Sequence, residues 1–275
     1  MKKHARLQPG NEVAYLSAGN EKAGLPPLFL LHGLSEDHAV WAEVVLALAP
    51  YGRIYSLDLP GFGGSSLPPE PRMTWYAQAI RSVAEAERIS RLVVAGHSLG
   101  GYAALQFAAE HGDALAGLVL VHSHPFPDTP ERVQGRLRSI EILRAGHKET
   151  FVRQLFGNLF APAFASAHPE VVERCVQMGL RQSAEGIAAA IQAIMHRQDH
   201  SETLRNCAQP VLAVLGDEDS LVPLAPTRQT IEQAPHGEVR VLHGVGHMGM
   251  FEAPEMLVEW LREFWLHLAP ASGIS

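Results

Sequence analysis

Short apolar runs alternate with stretches of helical period along this chain. Residues 28–31, 53–57, 92–95, 118–121, 211–215 and 239–242 are mostly apolar throughout, the pattern of strands covered on both faces. Residues 7–16, with Pro9-Gly10 between the arms, read as an N-terminal hairpin. Helical periodicity separates most of the strands, around residues 41–48, 75–88, 101–111 and 227–234. The last helix is the clearest, because Leu257, Leu261, Phe264, Trp265 and Leu268 fall on one face. This alternation predicts the α/β class, with a mostly parallel, doubly wound sheet.

One block departs from the rhythm. Residues 128–202 carry helical periodicity (Val133, Leu137, Ile140 and Leu143; Val171, Val172, Val176 and Leu180; Ile187, Ile191 and Ile194) and no strand candidate. Strands flank it on both sides, so it reads as an insertion between neighbouring strands. The expected organisation is a core of residues 1–127 and 203–275 with a helical cap at 128–202. The tail, 269–275, is expected to fray.

Composition narrows the class without naming a function. The chain has 275 residues, 47% of them hydrophobic, and a formal net charge of −7, so it has ample length for a core and disorder is excluded. The acidic balance argues against nucleic acid as a partner. No apolar run approaches the roughly 18–20 residues of a membrane span, and the basic start runs into Gln8-Pro9-Gly10 without an apolar signal core. Cys175 and Cys207 stand alone, which makes a reduced, cytoplasmic setting the expectation. The cap holds nine basic and nine acidic residues, so the excess acid (20 against 13) lies in the core. Fifteen histidines are the one oddity.

Chemistry enters at Gly96-His97-Ser98-Leu99-Gly100, between a predicted strand and a predicted helix. This is a G-x-S-x-G turn in the strand–turn–helix context that lifts a serine hydroxyl clear of a sheet. On the motif alone, a glycine-rich turn would be the plainer reading. A nucleophilic serine needs a base, and the base an orienting acid. In a doubly wound sheet both belong at carboxyl ends of strands. Gly216-Asp217-Glu218-Asp219 follows one such strand, and His243-Gly244-Val245-Gly246-His247 follows the next. Nucleophile, acid and base therefore occur in the order Ser, Asp, His, with Asp217 and Asp219 rivals for the acid, and His236, His243 and His247 for the base.

These segments resemble the α/β-hydrolase superfamily over nearly the whole chain. Leu31-His32-Gly33-Leu34 is similar to the family's H-G-x segment, and Asp58-Leu59-Pro60-Gly61-Phe62-Gly63-Gly64-Ser65 to its D-x-P-G-x-G-x-S loop. The family's G-x-x-D and G-x-G-H patterns select Asp219 and His247, and its cap follows strand six, where the helical block lies. The resemblance implies a triad of Ser98, Asp219 and His247, with an oxyanion held by the main-chain N–H groups of Leu34 and Leu99. It implies no metal and no cofactor. His32 and His97 are then loop anchors, and Asp58 a loop anchor rather than a second acid.

His122 and His124 stand two apart at a strand end and could suggest a metal site, but no third ligand is evident, so a cap hinge with one histidine lining the pocket is the preferred reading. Phe151, Phe156, Phe160, Phe164, Met178 and Met195 read mainly as the cap's own core. The pocket is expected to be apolar and lined by His124, Phe126, Phe156, Phe160, Met195 and Met248. A serine at the elbow excludes the aspartate-dependent dehalogenases and epoxide hydrolases of the fold. The expectation is a carboxylesterase acting on short to medium uncharged esters, as a monomer or homodimer with small-molecule partners only. A carbon–carbon bond hydrolase, an enol-lactonase or a cofactor-free perhydrolase are alternatives. The first of these needs a pocket cation, for which Arg132, Arg153 and Arg197 are candidates. A non-catalytic ligand receptor on the same fold is a more distant reading.

Overall fold

Pro9-Gly10 turns the chain back on itself, pairing β1 (Lys2–Gln8) antiparallel with β2 (Asn11–Ala18). The computed structural model describes residues 2–21 and 24–269; apart from Ala269, the tail expected to fray lies outside them. The further strands are β3 (Leu28–Leu31), β4 (Ile54–Leu57), β5 (Leu92–His97), β6 (Leu115–Val121), β7 (Val211–Gly216) and β8 (Gly237–Leu242). They form one eight-stranded sheet in the order β1-β2-β4-β3-β5-β6-β7-β8. The β2–β4 pair is also antiparallel and the remaining pairs are parallel, so β2 alone runs against the others. All residues of β3, β4, β5, β6 and β7 are buried, which is why their sequences do not alternate. Burying each large apolar side chain, such as Phe29 or Leu118, contributes roughly 1.5–3 kcal/mol.

Helices α1 (Ala42–Leu48), α2 (Met73–Ala86) and α3 (Leu99–His111) follow strands β3, β4 and β5. Between β6 and β7 lie α4 (Pro130–Arg144), α5 (Lys148–Gly157), α6 (Pro162–Ala167), α7 (Pro169–Leu180), α8 (Ala184–Met195) and α9 (Ser201–Arg205). Helices α10 (Leu224–Ile231), α11 (Gly249–Glu252) and α12 (Pro254–His267) complete the chain. The elements between β6 and β7 are all helices, among them α5 and α6, which the sequence periodicity did not separate. Helix α4 starts where Thr129 accepts the N–H of Arg132 and Pro130 occupies the first turn. The expected boundary at 202/203 falls inside α9. We propose α4–α8 as the cap. No helix among the described residues is long and apolar enough to cross a membrane.

A buried charge cluster fastens the two ends of this block together. The Asp128 carboxylate, fully buried, accepts Nε of Arg136 and pairs with Nη1 of Arg197 at 2.8 Å. Arg197 also donates to the Phe126 carbonyl at 3.0 Å and the Ile194 carbonyl at 2.9 Å, and lies 4.3 Å above the Tyr102 ring. Removing the acid strands Arg197 in a low-dielectric site. Asp128→Asn is therefore expected to cost about 3 kcal/mol at pH 7, measured by urea unfolding. Burial opposes the charge on Asp128, but its bond to Arg136 and the two guanidinium charges hold its pKa below the usual carboxylate range. Its contribution is then complete above about pH 4 and lost as pH falls through the lower folded-state pKa. The gap between wild type and variant should narrow on acidification.

Candidate active site

Strand β5 ends in a turn that only two glycines allow. A Cβ on Gly96 would stand 2.2 Å from the Gly100 carbonyl oxygen, and one on Gly100 would stand 2.4 Å from that of Leu31. Between them Ser98 is held at φ 49°, ψ −112°, in a region costly for a residue with a side chain. Its N–H donates to the Val121 carbonyl at 3.0 Å, and its own carbonyl accepts the Ser123 hydroxyl at 2.9 Å. The strain is thus held in place by β6 as well as by α3. The main-chain N–H groups of Leu34 and Leu99 have no acceptor among the described residues.

The loops after β7 and β8 bring an acid and a base to the same floor. Asp219 Oδ1 accepts the N–H groups of Leu221 (2.8 Å) and Val222 (3.1 Å), and its Oδ2 accepts His247 Nδ1–H at 2.7 Å. That bond leaves His247 Nε2 as the ring's acceptor nitrogen; it is buried and unpartnered. Burial would raise the pKa of Asp219, yet the neighbouring histidines, His247 first, hold it far below the ordinary carboxylate value. The main chain of His247 is fixed from both sides. Its N–H donates to the Leu159 carbonyl at 2.6 Å, and its carbonyl accepts His97 Nε2–H at 2.9 Å. Glu252 takes the N–H groups of Gly246 and Met248, each at 3.0 Å, and so brackets His247.

The rival acid and base pair with each other elsewhere. His243 lies 2.8 Å from Asp217, and the imidazole is 86% exposed. His236 is exposed as well. Asp217→Asn is accordingly expected to leave kcat/KM within about twofold of wild type, because a surface pair adds little; steady-state kinetics on any turned-over ester check this.

Other histidines brace the floor. His97 donates both ring N–H groups, the second at 3.1 Å to Glu36 Oε2, which also accepts the Gly33 N–H at 2.6 Å. Burial opposes charge on both partners, but their attraction prevails, raising the pKa of His97 and lowering that of Glu36. This ion pair ties the Gly33-Leu34 segment to the carbonyl of His247. His32 accepts the Leu59 N–H at 2.9 Å and donates to the Gly33 carbonyl at 2.7 Å, and burial pulls its pKa down. Asp58 gathers the N–H groups of His38 and Gly64, each at 2.9 Å, and anchors its loop.

His122 and His124 part company. His122 Nε2 accepts the Gly249 N–H at 3.2 Å, which puts its proton on Nδ1, 3.4 Å from Asp219 Oδ2. Burial brings it down to about 4. The ligand-capable atoms of His122, Asp219 and His247 lie within 4.8 Å of one another, the spacing of two imidazoles turned to one carboxylate. His124 stacks on Phe126 and contacts the Tyr102 hydroxyl at 3.3 Å.

Ser98 and His247 line a cavity of about 350 Å³. Leu34, Glu36, His97 and Tyr102 complete the floor, and Arg132, Gly135, Arg136 and Ser139 of α4 form a wall. Its lining residues differ from those expected. His124, Phe126, Phe156, Phe160, Met195 and Met248 are not among its lining residues. Phe156 packs against Gly179 in the cap's core and Phe160 stacks on Phe164, because the cap helices need an apolar interior of their own. Met248 is fully buried, Met195 packs at the edge of the core, and His124 and Phe126 sit behind Tyr102. Leu155, Leu159, Ile194 and Leu221 line the cavity as well, so it is largely apolar, with two guanidinium groups at its border. Of the three candidate cations, Arg132 reaches the cavity, Arg197 is spent on Asp128, and Arg153 pairs with Glu149 and Glu173 at the surface. Arg136 escaped notice although it lies four residues after Arg132, on the same helix face.

Residues 26–254 match the family described as alpha/beta hydrolase fold. The chain is 30% identical over 251 residues to the pimeloyl-(acyl-carrier protein) methyl ester esterase of Aeromonas hydrophila, covering 87% of this chain and 95% of that protein. It is 26% identical over 247 residues to the 2-succinyl-6-hydroxy-2,4-cyclohexadiene-1-carboxylate synthase of Klebsiella pneumoniae, covering 89% and 95%. Among solved structures, a thermophilic esterase from Thermogutta terrifontis, described with malate bound, is similar at TM-score 0.91 and 28% identity, over 98% of this chain and 100% of that one. Strand order, glycine-bracketed serine turn and whole-length similarity agree: the chain is a member of the α/β-hydrolase superfamily.

Proposed function

We propose that the protein is a serine hydrolase that cleaves carboxylic esters through an acyl-enzyme. The observation that carries this reading is the buried, unpartnered Nε2 of His247, which lines the cavity of Ser98 while its ring partner Nδ1 is held by Asp219. Ser98 Oγ attacks the ester carbonyl as His247 Nε2 takes its proton, and Asp219 stabilises the imidazolium that results. No hydrogen bond joins Ser98 to His247 in the free protein, and such contacts often tighten only with substrate in place. The free N–H groups of Leu34 and Leu99 receive the developing oxyanion. His247 then protonates the departing alkoxide. The same base deprotonates a water that attacks the acyl-enzyme, and the acid leaves. The esterase names of the Aeromonas and Thermogutta relatives support an ester rather than another bond as the target.

A panel of 4-nitrophenyl acetate, butyrate and hexanoate tests the reading. Turnover at rates well above buffer is expected for at least one chain length, and inactivity of folded protein across the panel and across carboxylate-bearing esters would sink it.

A further inference from the structure

The charges around the cavity do not balance on the α4 side. Arg136 and Arg197 share the single carboxylate of Asp128. Arg132 has no carboxylate partner: its Nη2 donates to the Leu221 carbonyl at 2.7 Å, while Nη1 lies 3.4 Å from His124 Nε2. His124 Nδ1 accepts the Phe126 N–H at 3.2 Å, so its proton sits on Nε2 and Arg132 finds no acceptor there. Three guanidinium groups against one carboxylate leave this side two charges positive. On the floor Glu36 and His97 cancel, and Asp219 stands behind His247. Burial, then Arg197 and Arg132, press the pKa of His124 down to about 3, so it adds no charge and registers the positive surroundings. Arg132 is also positioned in advance, because its bond to Leu221 joins α4 to the loop that carries Asp219.

We propose that Arg132 recognises a carboxylate on the substrate remote from the scissile ester, so that the preferred substrates are carboxylate-bearing esters rather than the uncharged ones expected from the sequence. The proposal rests on the esterase reading above and specifies its substrate class. A planar guanidinium held at one edge still offers paired N–H groups to a carboxylate, an arrangement that favours a monoanion of fixed direction.

Two matched pairs of esters test this and locate the charge. The 4-nitrophenyl half-ester of glutaric acid against 4-nitrophenyl pentanoate places the carboxylate on the acyl side. The acetate ester of 4-hydroxybenzoate against that of its methyl ester places it on the alcohol side. In one pair the anionic ester is expected to have the higher kcat/KM, and Arg132→Gln to lower the anionic-to-neutral ratio by about tenfold or more. Arg132→Lys should restore part of that ratio. A merely structural role would lower both members of a pair alike and leave the ratio unchanged, which would overturn the proposal. Glutarate should inhibit wild-type hydrolysis of the neutral ester competitively, and failure to do so more strongly than dimethyl glutarate counts against it independently of any variant. Failure of the esterase reading is distinguishable, since neither neutral nor anionic esters would then be turned over.

Discussion

Replacement of Ser98 by alanine is expected to reduce kcat for ester hydrolysis by about 10⁴-fold or more while leaving the fold intact. The main-chain features that hold residue 98 do not involve its hydroxyl. Its N–H donates to Val121, its carbonyl accepts Ser123, and the close approaches that shape the turn belong to Gly96 and Gly100. Alanine meets the same difficulty at φ 49° as serine does, so the urea midpoint should shift little. What disappears is the Ser98 hydroxyl, on the cavity that the unpartnered base nitrogen also lines. Pre-steady-state kinetics with a 4-nitrophenyl ester should show no burst of nitrophenolate in the variant. A residual rate within tenfold of wild type would mean that another group does the chemistry.

Asp219→Asn carries the second large effect, a fall in kcat of about 10⁴-fold. Asp219 Oδ2 faces two imidazole N–H groups, those of His247 at 2.7 Å and His122 at 3.4 Å, while Oδ1 takes the N–H groups of Leu221 and Val222. Three hydrogen bonds and the nearby His122 imidazole surround an acceptor-only group, and this is the environment that keeps the carboxylate ionised despite its burial. Asparagine brings an amide NH₂ that must point at one of these donors. Either the loop after β7 loses its two main-chain bonds or His247 is driven to the other tautomer, with its proton on Nε2 and no base facing Ser98. The two outcomes separate by measurement: loosening of the loop lowers the melting temperature, whereas a tautomer error lowers kcat alone. The contrast with Asp217→Asn, where the same change meets an exposed histidine and the Gly244 N–H, identifies which acid matters.

The parts of this molecule legible in the sequence are those set by local pattern. Parallel strands buried on both faces print themselves as continuous apolar runs, and the serine turn needs two glycines because backbone from both sides closes on it. Asp219 and His247 were separable from Asp217 and His243 only through the resemblance of their loops to a family, since each pair offers an Asp and a His at the same strand ends. The pocket was not legible. Phe156 and Phe160 were expected to face the substrate, yet they belong with the other cap aromatics in the interior between α5, α6 and α7, and the cavity is lined by Leu155, Leu159, Ile194 and Leu221 and by Arg132, Gly135, Arg136 and Ser139 of α4. The four α4 residues recur at helical spacing, but the sequence singles out only Arg132 among them, as one of three candidate cations that it cannot place. Glu36 was hidden for a similar reason. A carboxylate in a loop reads as surface until the partner that neutralises it, His97, is seen 61 residues away in sequence.

The claim on which the rest depends is that Ser98 is an activated nucleophile. Reaction of the folded protein with a fluorophosphonate, followed by intact-mass and peptide mass spectrometry, tests it without any assumption about the natural substrate. One adduct per chain, located on Ser98, absent from Ser98→Ala and formed much more slowly in His247→Ala, is the predicted result. No adduct, or an adduct on another serine that persists in Ser98→Ala, would contradict it.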